Sequence, residues 1–531
     1  MKHHPLVGYE LEAHDLVEWE RRTAFERGAL GDPVWRLANL YECQNQDGET
    51  VRFVPSPEQR LVIWCIFVLG WQRIIIPKAR QLGMSLMLSL ICLDQMLFKE
   101  GFRASWIDKT RPDARKKLKD KMLFAFDRLP ESVREGVTIN RRTLDEFAVQ
   151  SKGEELSPES LVSVGINYRG GTVEGLVCSE WGWIQAYDRL RSKEINDGAL
   201  PAVERASEGW CVVETTWEGG LDGELGPYVA EALRVPEEQK GRRSWRILFF
   251  GWHTDRLYRQ SHGYVDAESA KYFQEAEAMG LVLEHEQKLW YAERRRTKSR
   301  VKAEFPSFAH ECWDSMPEGS IYGAWIERAK DAGRINDFQT DTRWPVHTFW
   351  DLGLPINTVC WLIQVTPQEI RVLDVQMELD ITLVERWARL RAKGFTFGTH
   401  YLPWEADAAG TTGIKDVDEF RRVCGPNVRI VPVTHNKWTA ITATREMFGR
   451  FVFHATNCEV GLEHLKRYRA ERATSSGIAK DVPVHDKYSH AADAFRQCVQ
   501  AIHAGMIEGG QAVGAVVQKS ANAGMVRRAA R

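Results

Sequence analysis

Two sets of residues in this chain have the types and spacing that phosphate chemistry needs. The first is Lys78-Ala79-Arg80-Gln81-Leu82-Gly83-Met84-Ser85. A phosphate loop of the form GxxxxGK[ST] sits between a strand and a helix. Its amides cradle phosphates, its lysine reaches the β and γ oxygens, and its hydroxyl holds Mg²⁺. Residues 78–85 have the same length, with Gly83 at the second glycine and Ser85 at the hydroxyl. Met84 stands where the lysine belongs, so the cations at hand are Lys78 and Arg80, with Gln81 beside them. A lysine at the start of the loop would deliver the same ammonium. The competing reading is an ordinary basic turn ahead of a helix. An acidic strand end should follow, and GLVCSEWGWI (175–184) supplies one at Ser179-Glu180. Glu180 is placed to orient or deprotonate an attacking water. Ser179 occupies the position where an aspartate associated with Mg²⁺ is usual. Upstream, PSPEQ (55–59) offers Gln59, whose amide can both donate to and accept from an adenine edge. Arg169, beside two glycines in YRGG, can approach a phosphate closely as an arginine finger or ATP sensor. It can equally be a DNA-facing or structural arginine.

The second set is acidic. Phosphodiester cleavage by two metal ions needs three or four carboxylates from different elements, with the metals roughly 3.5–4 Å apart. Asp351 lies in the apolar run FWDLG, where an unpaired buried aspartate is costly and metal ligation is a natural explanation. Glu405 and Asp407 end the strand of HYLPWEAD. Asp493 is early in the final helix, with His490 one turn before it and Asp486 upstream. If that helix begins early enough, 486, 490 and 493 share a face. Asp351 could instead cap a turn before Gly353, and Asp486 could be only an N-terminal helix charge. A first-strand aspartate, a later strand-end acid and an aspartate on the last helix is the order of a ribonuclease-H-like nuclease.

Both sets need α/β scaffolds to hold them. An apolar helix (61–70), a β-branched run RIIIP (73–77), the loop and a second apolar helix (86–98) make the skeleton of a nucleotide-binding domain. Strands are expected at 102–108, 161–167, 175–180, 209–216 and 245–252. They alternate with helical stretches, which predicts a mostly parallel sheet. A second pattern starts near Val346, with strands at 347–353, 358–365 and 370–378 spaced like an antiparallel meander. A helix (381–393), a short strand ending at 399–407 and a last helix (489–505) follow. The domain expectation is therefore a helical segment at 1–45, an ATPase domain at 46–310, a linker at 311–345, a nuclease domain at 346–505 and a flexible tail at 506–531. The tail is rich in small residues and ends in arginines, so it can offer charge to a partner.

Composition excludes several classes. The chain has 531 residues, 44% hydrophobic and 27% charged, as in a globular protein of two to four domains. Lys+Arg is 71 against 73 Asp+Glu, a formal charge of −2, so contact with nucleic acid must come from local patches. The densest cationic runs, 111–122 and 293–302, would track a DNA backbone or serve as solvated helix faces. The ten cysteines form no CxxC pair, which leaves zinc-ribbon and disulfide-framework readings unsupported. The longest apolar run (61–71) is about half a membrane span. The expectation is a soluble, intracellular protein.

These motifs, in this order from about residue 40 to 503, resemble the large subunit of tailed-phage terminases. PSPEQ resembles the adenine motif and KARQLGMS the family's variant phosphate loop with its leading lysine. INYRGGTVEGLVCSEWG is similar to the RGGT segment and acidic strand, and VVETTWEG (212–219) to the coupling motif, where Thr216 would sense the γ-phosphate. FFGW and EGSIY are family-like connectors. FWDLG, HYLPWEAD and HDKYSHAADAFR resemble the nuclease motifs. Terminases often have HYLPHDA where this chain has Trp404-Glu405, so Glu405 and Asp407 both stand as the second metal ligand. The resemblance implies a P-loop ATPase domain followed by a ribonuclease-H-like nuclease domain. It implies ATP with one Mg²⁺, and two further Mg²⁺ ions, replaceable by Mn²⁺, on Asp351, Glu405, Asp407, Asp493 and Asp486. It also implies double-stranded DNA, the portal and procapsid, a small terminase subunit and a pentameric ring of this chain as partners in the host cytoplasm. Two other readings stay open. One is a helicase-like repair or mobile-element ATPase with a ribonuclease-H-like domain. The other is a virion assembly protein with a decayed ATP site, suggested by Met84 and Ser179.

Overall fold

A computed structural model of the chain describes residues 2–507 apart from 5–7, 28, 154–156, 169, 219, 222, 299–300, 314–318, 353–357, 379–380, 409–414, 435 and 473–478. The chain divides into two compact units, with the boundary between residues 316 and 317.

The first unit is built on eight strands: β1 (Arg73–Pro77), β2 (Arg103–Ile107), β3 (Val137–Arg142), β4 (Glu146–Ser151), β5 (Ser160–Gly165), β6 (Gly175–Ser179), β7 (Trp210–Thr215) and β8 (Arg246–Ile247). Their spatial order is β8-β1-β7-β6-β2-β5-β4-β3. The six strands from β8 to β5 run parallel, and β4 and β3 add an antiparallel edge. Strands β1, β6 and β7 are buried at every residue, which is why they read as continuous apolar runs and not as alternating ones. The expected strand at 245–252 is regular over two residues only. Beyond it, Leu248 and Phe250 still donate backbone hydrogen bonds to Ile75 and Pro77. Helices α1 (Pro57–Phe67) and α2 (Met84–Phe98) flank β1 in the chain. Ser56 caps α1 through a reciprocal bond with Gln59, the S-x-x-Q pattern that satisfies two orphan donors.

The first 45 residues differ from the helical reading. They hold helices at Ala13–Thr23 and Pro33–Asn39 but also strands at Gly8–Glu10 and Glu42–Gln44. They are also part of the first unit's core: Trp19, Val34, Leu37 and Tyr41 pack into it. Buried Arg36 makes a two-pronged ion pair with buried Asp94 of α2, and Tyr41 donates to the same carboxylate.

The second unit is built on a seven-stranded sheet: β9 (Ile335–Asn336), β10 (Val346–Asp351), β11 (Val359–Val365), β12 (Ile370–Gln376), β13 (Phe397–Leu402), β14 (Val428–Ile430) and β15 (Phe451–His454), in the order β9-β15-β12-β11-β10-β13-β14. β10, β11 and β12 form the expected antiparallel meander, and β13 and β14 continue it in parallel with β10. Both sheets are mixed and mostly parallel, so the expected fold class holds. The stretch expected as a linker is not one beyond residue 318: helix α3 (Gly323–Asp331) and β9 belong to this unit, with Ile321, Tyr322, Ile326 and Ala329 in its core. Helices α4 (Lys437–Met447), α5 (Glu459–Arg467) and α6 (Ser489–His503) give Ile441, Leu462 and Phe495 to the same core. Met506 and Ile507, expected in the tail, pack onto the second unit: Ile507 is buried and the Met506 carbonyl accepts from the Tyr401 hydroxyl. Residues 508–531 lie outside those described. The ten cysteines are all free. Among the described residues no helix is long and apolar enough to cross a membrane.

Helix α5 lies directly on Trp361 of β11: a Cβ at Gly461 would sit 2.2 Å from the indole ring. Gly461→Ala should therefore overpack the core at a cost of about 1–3 kcal/mol. A thermal melt of the variant should show the second unit unfolding several degrees lower, and an unchanged midpoint would mean that this helix does not approach so closely.

Candidate nucleotide and nuclease sites

β1 delivers the chain straight into the phosphate loop. The Lys78 amide donates to the Thr215 carbonyl (3.1 Å) and the Ala79 amide to the Phe250 carbonyl (2.9 Å), so the loop's start is fastened to its sheet neighbours. Gln81 (φ 61°) and Gly83 (φ 70°) then take the left-handed conformation and turn the chain into α2. Glycine adopts it freely, whereas a glutamine costs of order 1–3 kcal/mol there. Among the described residues the other non-glycine residue at positive φ is Glu180 (57°), immediately after β6. Backbone strain of this kind concentrates at functional sites. Here it marks the loop and the expected catalytic base.

Gln59 reaches the loop from α1. Its Oε1 accepts from the Ser56 amide (2.9 Å) and its Nε2 donates to the Gly83 carbonyl (3.1 Å). Each end of the amide has a partner and the side chain is buried, so Gln59 braces the loop.

The centre of the site is a residue that sequence reasoning passed over. Glu214, in fully buried β7, is itself fully buried. Its Oε1 accepts from the hydroxyls of Ser85 and Ser179, each at 2.7 Å, and its Oε2 lies 3.1 Å from the Lys78 ammonium. Burial works against the carboxylate, but the Lys78 charge and the hydrogen bonds from Ser85, Ser179 and Lys78 outweigh it and hold Glu214 well below the usual range. Burial likewise works against the Lys78 ammonium, and the charges of Glu214 and Glu180 outweigh it, keeping Lys78 above its ordinary value. Glu180 is raised, first by burial, with Lys78 opposing and the negative charge of Glu214 adding. Its Oε2 accepts from the Thr216 hydroxyl (2.8 Å) and amide (3.3 Å). Thr216 thus holds the carboxylate of Glu180.

Of the two candidate loop cations, Lys78 is brought to this centre. Arg80 is exposed, 3.7 Å from Glu304. Arg169 lies outside the described residues. The basic run at 111–122 contributes one partly buried lysine: Lys121, pushed down to about 8 by burial and by Lys117, stands in the field of Glu214 and Lys78. The rest of the described cations in both runs largely meet acids of the chain. Arg115 pairs with Asp145 (2.8 Å) and Lys117 with Asp108 (3.7 Å). Arg296 pairs with Asp266 (3.2 Å), Lys298 with Glu304 (2.6 Å) and Lys302 with Glu311 (3.8 Å).

In the second unit, Asp351 ends β10, and its Oδ2 lies 2.8 Å from Nδ1 of His490 on the first turn of α6. The hydrogen bond to Asp351 raises the His490 pKa above its ordinary value, which favours the ion pair. α6 is fastened over β10 and β11: Gln497 donates to the Trp350 carbonyl and the Trp361 indole to the Ala491 carbonyl. Asp493 is held between Lys437 (2.9 Å) at the start of α4 and Arg496 (2.7 Å). Because α6 starts at Ser489, Asp486 precedes it and does not share its face. Asp486 accepts from the Tyr488 amide (2.9 Å) and lies 3.4 Å from Arg469. Glu405 and Asp407 occupy one exposed 3₁₀ turn, Trp404–Asp407, after β13, with Asp407 3.1 Å from Lys415. β13 is the parallel neighbour of β10, so these acids leave the same end of the sheet as Asp351. The expected convergence does not form: among the described residues no three His, Cys, Asp or Glu side chains are grouped to hold a metal ion. Asp351, Asp407, Asp486 and Asp493 each have a basic partner of the chain instead. His400, in HYLP, is a core residue, 2.7 Å from the Thr348 hydroxyl and pushed down to about 4 by burial.

No family model matches the chain, and no curated protein is similar to it by sequence. In structure it is similar to large terminases. The large terminase of a thermophilic bacteriophage aligns at 12% identity over 84% of this chain and 99% of that one, with a TM-score of 0.34. The ATPase domain of the Thermus phage P74-26 large terminase aligns at 14% identity over 49% of this chain and all of that one, TM-score 0.32. The large terminase nuclease of thermophilic phage G20c, with bound cobalt, aligns at 15% identity over 34% and 97%, TM-score 0.25.

A Cβ at Gly83 would take on the cost of a left-handed backbone and come 2.7 Å from Gln59 Nε2. Gly83→Ala should destabilise the first unit by about 1–2 kcal/mol and weaken nucleotide binding. Calorimetric melting and a nucleotide titration measure the two effects. Wild-type values in both would mean that the loop does not use this conformation.

Proposed function

We propose that this chain is the large subunit of a viral terminase: an ATPase that drives double-stranded DNA into a procapsid, joined to a metal-dependent endonuclease that cuts concatemeric DNA. The observation that carries the reading is the buried ionic centre at the phosphate loop, where Lys78, Ser85, Ser179 and Glu214 meet beside Glu180 at the carboxyl ends of a parallel sheet. Ligands of open α/β sheets bind at those ends. A decayed site has no reason to keep a buried charge pair there. The charge missing at Met84 is supplied by Lys78, which favours an enzyme over an assembly protein with a lost ATP site.

In this reading the amides at the start of α2 and the Lys78 ammonium hold the phosphates. The oxygen donors beside the loop suit a hard divalent ion, which would neutralise phosphate charge. Glu180, kept by Thr216 in position, takes the proton of the attacking water. Its raised pKa makes it a better base than an ordinary glutamate. In the second unit Asp351 and Asp493, with Glu405 or Asp407, are the oxygen donors for the nuclease metals, and His490 and Lys437 are the groups they would have to exchange for those ions. Mg²⁺ or Mn²⁺ fits these ligands. The sequence resemblance adds the remaining partners: the portal and procapsid, a small terminase subunit and a homo-oligomeric ring, acting in the host cytoplasm.

The two activities should separate. Glu180→Gln should bind ATP yet hydrolyse it about 10²–10⁴-fold more slowly and keep plasmid cleavage. Asp351→Asn should lose cleavage in Mg²⁺ or Mn²⁺ and keep ATPase activity. Loss of both activities from either substitution in a folded protein would refute the two-site reading.

The pH profile gives a further check. Glu180 works as the carboxylate, and its pKa is raised above the ordinary 4.5. ATPase activity should therefore fall with acid at a higher pH than an unperturbed glutamate would give. Lys78, raised from 10.5, should stay charged through neutral and mildly alkaline pH. A profile flat down to the ordinary glutamate range would remove Glu180 as the base.

A further inference from the structure

We infer that Glu214 supplies the acidic ligand for the nucleotide's metal ion that β6 lacks at Ser179, so that this carboxylate has moved to the neighbouring strand. The inference rests on the ATP-site reading and deepens it.

A Mg²⁺ site of this kind needs a carboxylate beside the loop hydroxyl, together with phosphate and water oxygens. β6 ends in Val177-Cys178-Ser179 and brings no charge. β6 and β7 pair in parallel, with Ser179 opposite Glu214 in register. Neighbouring strands stand about 4.8 Å apart, and glutamate is one methylene longer than aspartate, so its carboxylate can lean across part of that gap. The geometry shows the result. Oε1 of Glu214 is 2.7 Å from Ser85 Oγ, the hydroxyl expected to hold the ion, and 2.7 Å from Ser179 Oγ at the vacated position. The Ser179 hydroxyl donates to the carboxylate that has replaced the one its own position lacks.

A counter-ion role toward Lys78 accounts for Oε2, 3.1 Å from the ammonium. It does not account for Oε1, which accepts from the two hydroxyls. An aspartate at 179 would place a second negative charge against Glu214 in a buried site, where like charges are costly. The two positions are therefore coupled: one carboxylate is needed, and either strand can carry it.

The test is the metal dependence of nucleotide binding, measured on the full chain by titrating a fluorescent ADP analogue in Mg²⁺ and in EDTA. Wild type should bind about tenfold or more tightly with Mg²⁺, a coupling of ordinary size between two ligands. Glu214→Gln should bring that ratio close to one, and Ser179→Asp in the Glu214→Gln background should restore most of it. Glu214→Asp, which keeps a charge for Lys78 but draws the carboxylate back, should lower the ratio and guards against a Glu214→Gln protein that does not fold. Electron paramagnetic resonance of Mn²⁺ with ADP should show bound ion in wild type and the double variant and little in Glu214→Gln. A folded Glu214→Gln or Glu214→Asp protein with the wild-type ratio would overturn the inference and leave ATP binding intact. A wild type that binds no adenine nucleotide would instead overturn the ATP-site reading itself.

Discussion

The first unit turns on one buried carboxylate. Glu214 touches the leading lysine of the phosphate loop, the first turn of α2 through Ser85, and the end of β6 through Ser179. A single side chain thus ties together three elements that come from far apart in the chain, and it sets where the loop lies over the sheet. Removing one partner of a buried pair leaves an uncompensated charge and costs about 3–5 kcal/mol, whereas replacing the pair by apolar residues is often neutral. Stability therefore gives no reason to keep charges here. The proposed ATP site gives one, because an ammonium and a carboxylate at the carboxyl ends of parallel strands are what a phosphate and its metal ion would need. The strain at Gln81 and Glu180 has the same explanation: the sheet holds two residues in conformations that they would not choose alone.

The second unit shows the same electrostatic constraint with another outcome. Carboxylates at adjacent strand ends repel each other unless a cation lies among them. Here most take a cation of the chain instead: Asp351 has His490, Asp493 has Lys437 and Arg496, Asp486 has Arg469, and Asp407 has Lys415. The scaffold that positions them is apolar and closely packed, with Trp361 and Gln497 fastening the last helix to the meander. The exposed turn carrying Glu405 and Asp407 is a separate, solvated element. The basic runs follow a similar rule. Most of their described cations sit beside acids of the chain, in keeping with a net charge of −2. The exposed pairs among them are worth about 0–1 kcal/mol each, whereas Asp108 and Glu311 are buried acids.

Much of this was legible in the sequence. RIIIP, the loop and the apolar helix after it had to be strand, turn and helix, because a parallel strand buried on both faces is a short β-branched run and the helix is long and apolar. The meander from Val346 to Gln376 was equally plain from its spacing. The hairpin of β3 and β4 was not, since nearly every residue of β3 is exposed and the strand shows no apolar pattern. The packing of residues 1–45 and 319–345 into the two units was hidden as well. Isolated apolar residues such as Trp19, Tyr41 and Tyr322 have no local pattern to show where they are buried.

Residue types and their spacing set the order of the elements and the kinds of side chain present: a loop with a cation at its start, an acid after β6, and acids at the ends of β10 and β13 and on the last helix. They could not decide which of those groups meet. Glu214 was in plain view within VVETT, and its one local signal was a charge inside an otherwise apolar strand. Only the pairing of β6 with β7 put it opposite Ser179, across 35 residues of chain. Only the start of α6 at Ser489 separated Asp486 from Asp493. Period and composition act over a few residues, and so they fix local structure. Charges interact through space over a few ångströms, and that distance is set by strand register and helix ends once the chain has folded.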